Sequence, residues 1–172
     1  LFIGLLYLQS LDPANLNFDA VWYHVPIAQD YAREGRLVPF YGDDHRAFPH
    51  LASLLHTWAL LVPGIDHLPL RWMLMLHIEF SMVLWRAVGL VAGAQWLLKG
   101  RFVPGLWAAF FLFPSVFIYD QNIAGSADHV SGVSAIPAFL SLGRALSRMS
   151  WRHALLAGVF AGCHILTKYQ AV

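Results

Sequence analysis

Long apolar runs alternate in this chain with short junctions whose charges differ in sign, and that alternation limits the folds open to it more than any other feature. Lys99 and Arg101, and then Arg144, Arg148 and Arg152, occupy two short junctions, whereas Asp12, Asp19, Asp30, Glu34, Asp43, Asp44 and Asp66 crowd one long segment near the start. Short cytoplasmic loops of membrane proteins are enriched in Lys and Arg. Both basic junctions are therefore expected inside, with the acidic segment and the later turn around Asp128 outside.

Composition points the same way. The 172 residues are 58% apolar and only 12% charged, with a mean hydropathy of +0.55, outside the balance of an ordinary soluble domain. The expected fold class is an all-α, polytopic transmembrane bundle. A net charge of +1, with no Lys/Arg-rich run interleaved with aromatics, gives no reason to expect a nucleic-acid partner. Cys163 is the sole cysteine, so it forms no intrachain disulfide and reads as a small packing residue. The chain starts inside the apolar run Leu1 to Leu8 and stops without a closing polar tail, so it is expected to be the N-terminal part of a longer membrane domain.

Residues 1–11 read as the outer end of a first crossing, closed at Asp12-Pro13, where proline stops the helical hydrogen-bond ladder. Residues 12–74 form the outer loop. Within it, Ile27, Ala28, Tyr31 and Ala32 recur at helical spacing opposite Asp30, Arg33 and Glu34, predicting an amphipathic helix at the interface that ends at Gly35. Pro26 fits its first turn, which leaves Asp19 in the preceding turn, free to point into a cleft. The apolar run Leu51 to Val62 is too short to cross, and counting it as a crossing would put Lys99 and Arg101 outside. It reads as a second interfacial or re-entrant helix. Four further crossings, approximately 75–98, 102–122, 130–147 and 153–172, bring the total to five. Ser131, Gly132, Ser134, Pro137, Ser141 and Gly143 mark the 130–147 crossing as a packed interior helix.

Several polar residues are candidates for chemistry. Asp19 stands among Asn17, Phe18, Trp22, Tyr23 and His24, a mixture suited to a carbohydrate or headgroup. An aromatic belt explains Trp22 and Tyr23 but not a carboxylate in their midst. Asp128 follows the small residues Ala124 to Ala127, which leave room for a substrate, and it is also placed to N-cap the next crossing. Lys168 lies 15 residues beyond His153, about 22 Å up a roughly 30 Å core. There it either meets an outer-leaflet lipid phosphate or snorkels to the headgroups. Asp43, Asp44, His45, Arg46 and His50 offer ligands for a divalent cation such as Mg²⁺ or Mn²⁺, but their spacing matches no closed site and favours a solvated turn. Glu79 and Arg86, seven positions apart, share nearly one helix face and read as an interior ion pair or as contacts to a bound lipid phosphate. His56, His77 and His164 read as polar residues satisfied within the bundle.

The order of these pieces resembles the GT-C glycosyltransferases that use lipid-phosphate sugars, especially the branch of protein O-mannosyltransferases and lipid A aminoarabinose transferases. The likeness rests on Phe18 to Ala28, Gly35 and Pro39, Phe48-Pro49-His50-Leu51, Asp66 to Arg71, Ala124 to Asp128, and Leu156-Ala157-Gly158 through Gly162 to Thr167-Lys168-Tyr169. It implies that Asp19 is the general base on an acceptor hydroxyl or amine, that Asp128 is the second-loop acid shaping the site, and that Lys168 holds the donor phosphate. Tyr23, His24 and Arg71 would contact substrate. The chain departs from the pattern at Ala20, where many relatives carry a second acid, at Phe48-Pro49, where the aminoarabinose branch has Lys-Pro, and at Ser126-Ala127, where an Ala-Tyr pair is frequent.

The activity expected from the resemblance is inverting transfer of a sugar from a polyprenyl-phosphate donor to a glycan, lipid or protein acceptor. The setting would be a bacterial inner membrane with the site facing the periplasm or exterior. A transporter or flippase core using Glu79, Arg86 and Lys168 is the main alternative, and a non-catalytic assembly subunit is another.

Overall fold

The first long helix starts where a side chain replaces the missing helical hydrogen bonds. Asn17 Oδ1 accepts the amide of Ala20 at 2.8 Å, and Asn17 O accepts the amide of Val21 at 3.1 Å, so Asn17 is the N-cap. The computed structural model describes residues 2–39, 44–47, 49–99 and 123–168, and every regular element among them is helical. A short helix α1 (Phe2–Gln9) precedes the Asn17 cap. From Phe18 the chain is helical through a π turn (Ala20–His24) into α2 (Val25–Glu34).

The π turn has a local cause. Pro26 has no N–H, and in a regular helix its ring collides with the carbonyl four residues back. The turn widens just before it, so that Val25 donates to Ala20 O, five residues back. Asp19 therefore has helical backbone, φ −63° and ψ −38°, and does not lie in a free turn before the helix as the sequence suggests. The expected end holds, with Gly35 at φ +63° closing α2. Ile27, Ala28 and Tyr31 are buried, and Arg33 and Glu34 are exposed.

Helix α3 (Leu51–Leu61) has 11 residues and a length of about 16 Å, roughly half an apolar bilayer core. It packs between α2 and α4 (Leu68–Leu97). Arg71 closes the α3–α4 corner by donating to Leu60 O at 2.5 Å and Ile65 O at 2.6 Å. Pro69 in the first turn of α4 is tolerated there, so the helix begins seven residues before the expected 75. Helices α5 (Asp128–Arg148) and α6 (Trp151–Ile165) form an antiparallel pair joined at Met149-Ser150. The expected 102–122 crossing lies outside the described residues. The last expected crossing, 153–172, is helical only to Ile165, although the amide of Lys168 still bonds to His164 O at 3.2 Å.

Helices α4 and α5 run parallel. Contacts advance together along both: Glu79 with Gly125, Arg86 with Gly132, Gly89 with Ile136, Gly93 with Leu140, and Trp96 with Gly143. From Glu79 to Trp96 this seam is about 25 Å long, so Leu97 and Asp128 stand at opposite ends. Lys99, Arg144, Arg148 and Arg152 share one end of the bundle, and the C-terminal end of α1, Asp128 and Lys168 share the other.

Both α4 and α5 are long and apolar enough to cross a bilayer, and in each the apolar window is only 22% buried. The central helix of a water-soluble protein would be mostly covered. Trp85, Val88, Phe139, Leu142 and Leu146 are instead exposed, as lipid contact requires.

Two glycines separate backbone strain from close packing. Gly35 (φ +63°) has open space where a Cβ would stand, whereas a Cβ on Gly125 (φ +79°) would lie 3.0 Å from Ala20 Cβ and 3.2 Å from Leu16 Cδ2. Gly35→Ala is expected to cost about 1 kcal/mol from the left-handed backbone alone, and Gly125→Ala about 2 kcal/mol more through overpacking. Thermal unfolding of the two variants in detergent measures the difference; equal losses would contradict this packing.

Candidate active site

A polar strap joins the segment around Asn15 and Asn17 to the turn at Ile123 and Ala124. Asn15 Nδ2 donates to Ile123 O at 2.8 Å and Gln9 O at 3.3 Å, Ile123 N donates to Gln9 Oε1 at 3.1 Å, and Asn17 N donates to Ala124 O at 2.9 Å. The strap sets the first turn of the Phe18 helix beside the start of α5. The Tyr23 hydroxyl donates to the Asp19 carboxylate, and its pKa is pushed up to about 12 by burial, then by Asp19, and further by Asp128. Tyr23 thus lies within electrostatic reach of both predicted acids.

Asp128 is the first residue of α5 and not its N-cap, a position held by Ala127. Ser126 Oγ accepts the Asp128 amide at 3.3 Å and stands 3.4 Å from Asp128 Oδ2. A carboxylate in this first turn is also favoured by the helix dipole. Asp128 Oδ1 accepts from Lys168 Nζ in an ion pair whose side chains are 30% and 23% exposed. The amide of Leu51 donates to Leu166 O at 3.0 Å, so the tip that carries Lys168 is fastened to the start of α3.

His24, expected to contact substrate, lies beneath this group at 2% exposure. Its Nδ1 pairs with Ser53 Oγ at 3.0 Å, and its ring packs edge-on to His56 at 6.0 Å. Burial lowers His24 to about 3, helped by His56, Lys168 and His50, and burial lowers His56 to about 4. Both are neutral at pH 7. The structure thus gathers Asp19, Tyr23, Asp128 and Lys168, with His24 supporting them from below. Arg71 is not among them, because its guanidinium holds the α3–α4 corner.

Glu79 and Ser126 are the members that the sequence did not mark as part of the site. The Glu79 carboxylate, 1% exposed, accepts Gly125 N at 2.6 Å, Ser126 N at 3.3 Å and Ser126 Oγ at 3.4 Å. The expected interior pairing with Arg86 gives way to this turn, while the Arg86 side chain lies across Gly132. An acid in an apolar run was the available signal; its partners, more than forty residues away, were not.

The loop proposed for a cation is drawn into other bonds. Arg46 pairs with Asp30 at 2.7 Å, His50 Nε2 bonds to Arg46 O at 2.8 Å, and His50 Nδ1 bonds to the Tyr31 hydroxyl. Asp43 and the His45 side chain lie outside the described residues. Among the described residues, no cluster of three His, Cys, Asp or Glu side chains is placed to hold a metal ion.

Beside the site an apolar groove of about 500 Å³ runs between α3, α4, α5 and α6, walled by Leu55, Met82, Trp85, Val133 and Phe160, with Arg86 on one side. Leu51 and Val130 line it near Asp128. Comparison with known proteins finds no matching family model, no matching curated protein and no matching solved structure.

The buried histidines set an acid limit on stability. Their folded pKa values lie below the ordinary 6.5, so as pH falls below about 6.5 the unfolded chain takes up protons first. Stability is complete above that pH and declines through about pH 4, the value for His56, toward about pH 3, the value for His24. His56→Phe should flatten the decline, as measured by thermal unfolding at a series of pH values; an unchanged slope would contradict the assignment.

Proposed function

We propose that this chain is part of a GT-C-type membrane glycosyltransferase that transfers a sugar from a polyprenyl-phosphate donor to an acceptor on the non-cytoplasmic face of a bacterial inner membrane. The observation that carries the reading is the convergence of Asp19 with Tyr23, and of Asp128 with Lys168, at the end of the bundle opposite Lys99, Arg144, Arg148 and Arg152. The parallel run of α4 and α5 supports a recrossing between Leu97 and Asp128, and with it the five-crossing count.

In the proposed reaction Asp19 takes the proton of an acceptor hydroxyl or amine. The freed electron pair attacks the anomeric carbon from the face opposite the phosphate, the carbon–oxygen bond to phosphate breaks, and lipid phosphate leaves with the bonding pair. A base must lie within hydrogen-bond reach of the proton it takes, and the half-buried Asp19 meets the accessibility that this requires. Lys168 uses one of its three N–H groups on Asp128, leaving others for the phosphate oxygens. A cation there offsets the charge that develops on the leaving group. The apolar groove suits an isoprenoid chain, and Tyr23 and His24 shape the floor beneath the sugar.

A transporter would concentrate its charged site near the midplane. Glu79 is instead committed to the main chain of the 125–126 turn, which favours the transferase. In membranes supplied with polyprenyl-phosphate sugar and acceptor, Asp19→Asn in the full-length protein is expected to lower transfer by about 100-fold or more at an unchanged membrane level. Retained transfer would refute the base assignment.

A further inference from the structure

We infer that Glu79 is a positioning residue of this site, which aims Asp128 at Lys168 through Ser126. The inference rests on the reading of Asp128 and Lys168 as site residues. A carboxylate at 1% exposure within an apolar helix is costly unless its oxygens are satisfied. Oε2 accepts the Gly125 amide, and Oε1 lies within reach of the Ser126 amide and hydroxyl. These three donors belong to Gly125 and Ser126, in the turn that leads through Ala127 into α5. His129 Nε2 adds a weaker contact at 4.0 Å.

Ser126 transmits the constraint. Its hydroxyl oxygen accepts the Asp128 amide and lies beside Asp128 Oδ2, while Oδ1 meets Lys168. The order Glu79, Ser126, Asp128, Lys168 is therefore a continuous run of contacts from the interior of α4 to the site. Glutamine at position 79 would keep the shape but offer one acceptor oxygen, and its NH₂ would face a backbone donor. The turn must then shift, and Asp128 with it.

Lys168 reports on this aim because its only companion in the sequence, Lys99, stands at the far end of the bundle. The full-length protein in its membranes is treated briefly with an amine-acylating reagent, and acylation at Lys168 relative to Lys99 is read by mass spectrometry. Glu79→Gln should raise the ratio about threefold, as expected for release of a partly exposed ion pair. Asp128→Asn should do the same, and the double variant should add nothing further. Glu79→Asp, which restores two acceptor oxygens, should return the ratio toward wild type.

An unchanged ratio in Glu79→Gln, or additive effects in the double variant, would overturn the inference. Where Glu79→Gln does not accumulate, Ser126→Ala removes the hydroxyl link alone and must itself raise the ratio for the inference to stand. The labelling needs no sugar donor, so an inactive wild type would sink the transferase reading and leave this result in force.

Discussion

The polar strap between the 123–127 turn and the segment around Asn15 and Asn17 is the contact on which the rest of the site depends. Each of its hydrogen bonds contributes only about 1 kcal/mol net, but a buried donor or acceptor left unmet costs about 1–3 kcal/mol. The strap is specific for that reason: Gln9, Asn15 and Asn17 satisfy main-chain groups of Ile123 and Ala124 that no helix satisfies. Gly125 then allows the turn to sit against Ala20 and Leu16. Asp19 and Asp128, more than a hundred residues apart, become neighbours of one tyrosine.

Around that contact the apolar helices act as spacers. The parallel seam of α4 and α5 sets one end of the bundle about 25 Å from the other, and the return of α6 beside α5 carries Lys168 back to Asp128. Charge segregation along the sequence thus becomes separation in space. Asp19, Asp128 and Lys168 gather at one end of the bundle, and Lys99, Arg144, Arg148 and Arg152 at the other.

What the sequence made legible was periodic or compositional. The amphipathic pattern at Ile27, Ala28 and Tyr31 marked α2, Gly35 marked its end, and the apolar run from Leu51 to Val62 announced the short helix α3. The spacing from His153 placed Lys168 toward the same end of the bundle as Asp128, with which it pairs. The misreadings came from interactions that periodicity does not encode. Asn17 was read as part of an aromatic and polar patch, yet its side chain caps the helix and draws Asp19 into the first turn. The π turn before Pro26 leaves no mark on an apolar pattern. Glu79 was visible as an anomaly, but its partners are main-chain amides brought to it by tertiary packing. Arg71, singled out by a motif, is bound to carbonyls of its own corner.

In the proposed topology Asp19, Asp128 and Lys168 face the side of the membrane opposite Arg144, Arg148 and Arg152. Sidedness labelling tests it most directly. In a Cys163→Ala background, single cysteines are introduced by Asp66→Cys and Arg148→Cys, both at exposed positions, and intact cells are treated with a membrane-impermeant maleimide. Position 66 is expected to react in intact cells and position 148 only after the membrane is opened. Reaction of both positions from the same side would contradict it.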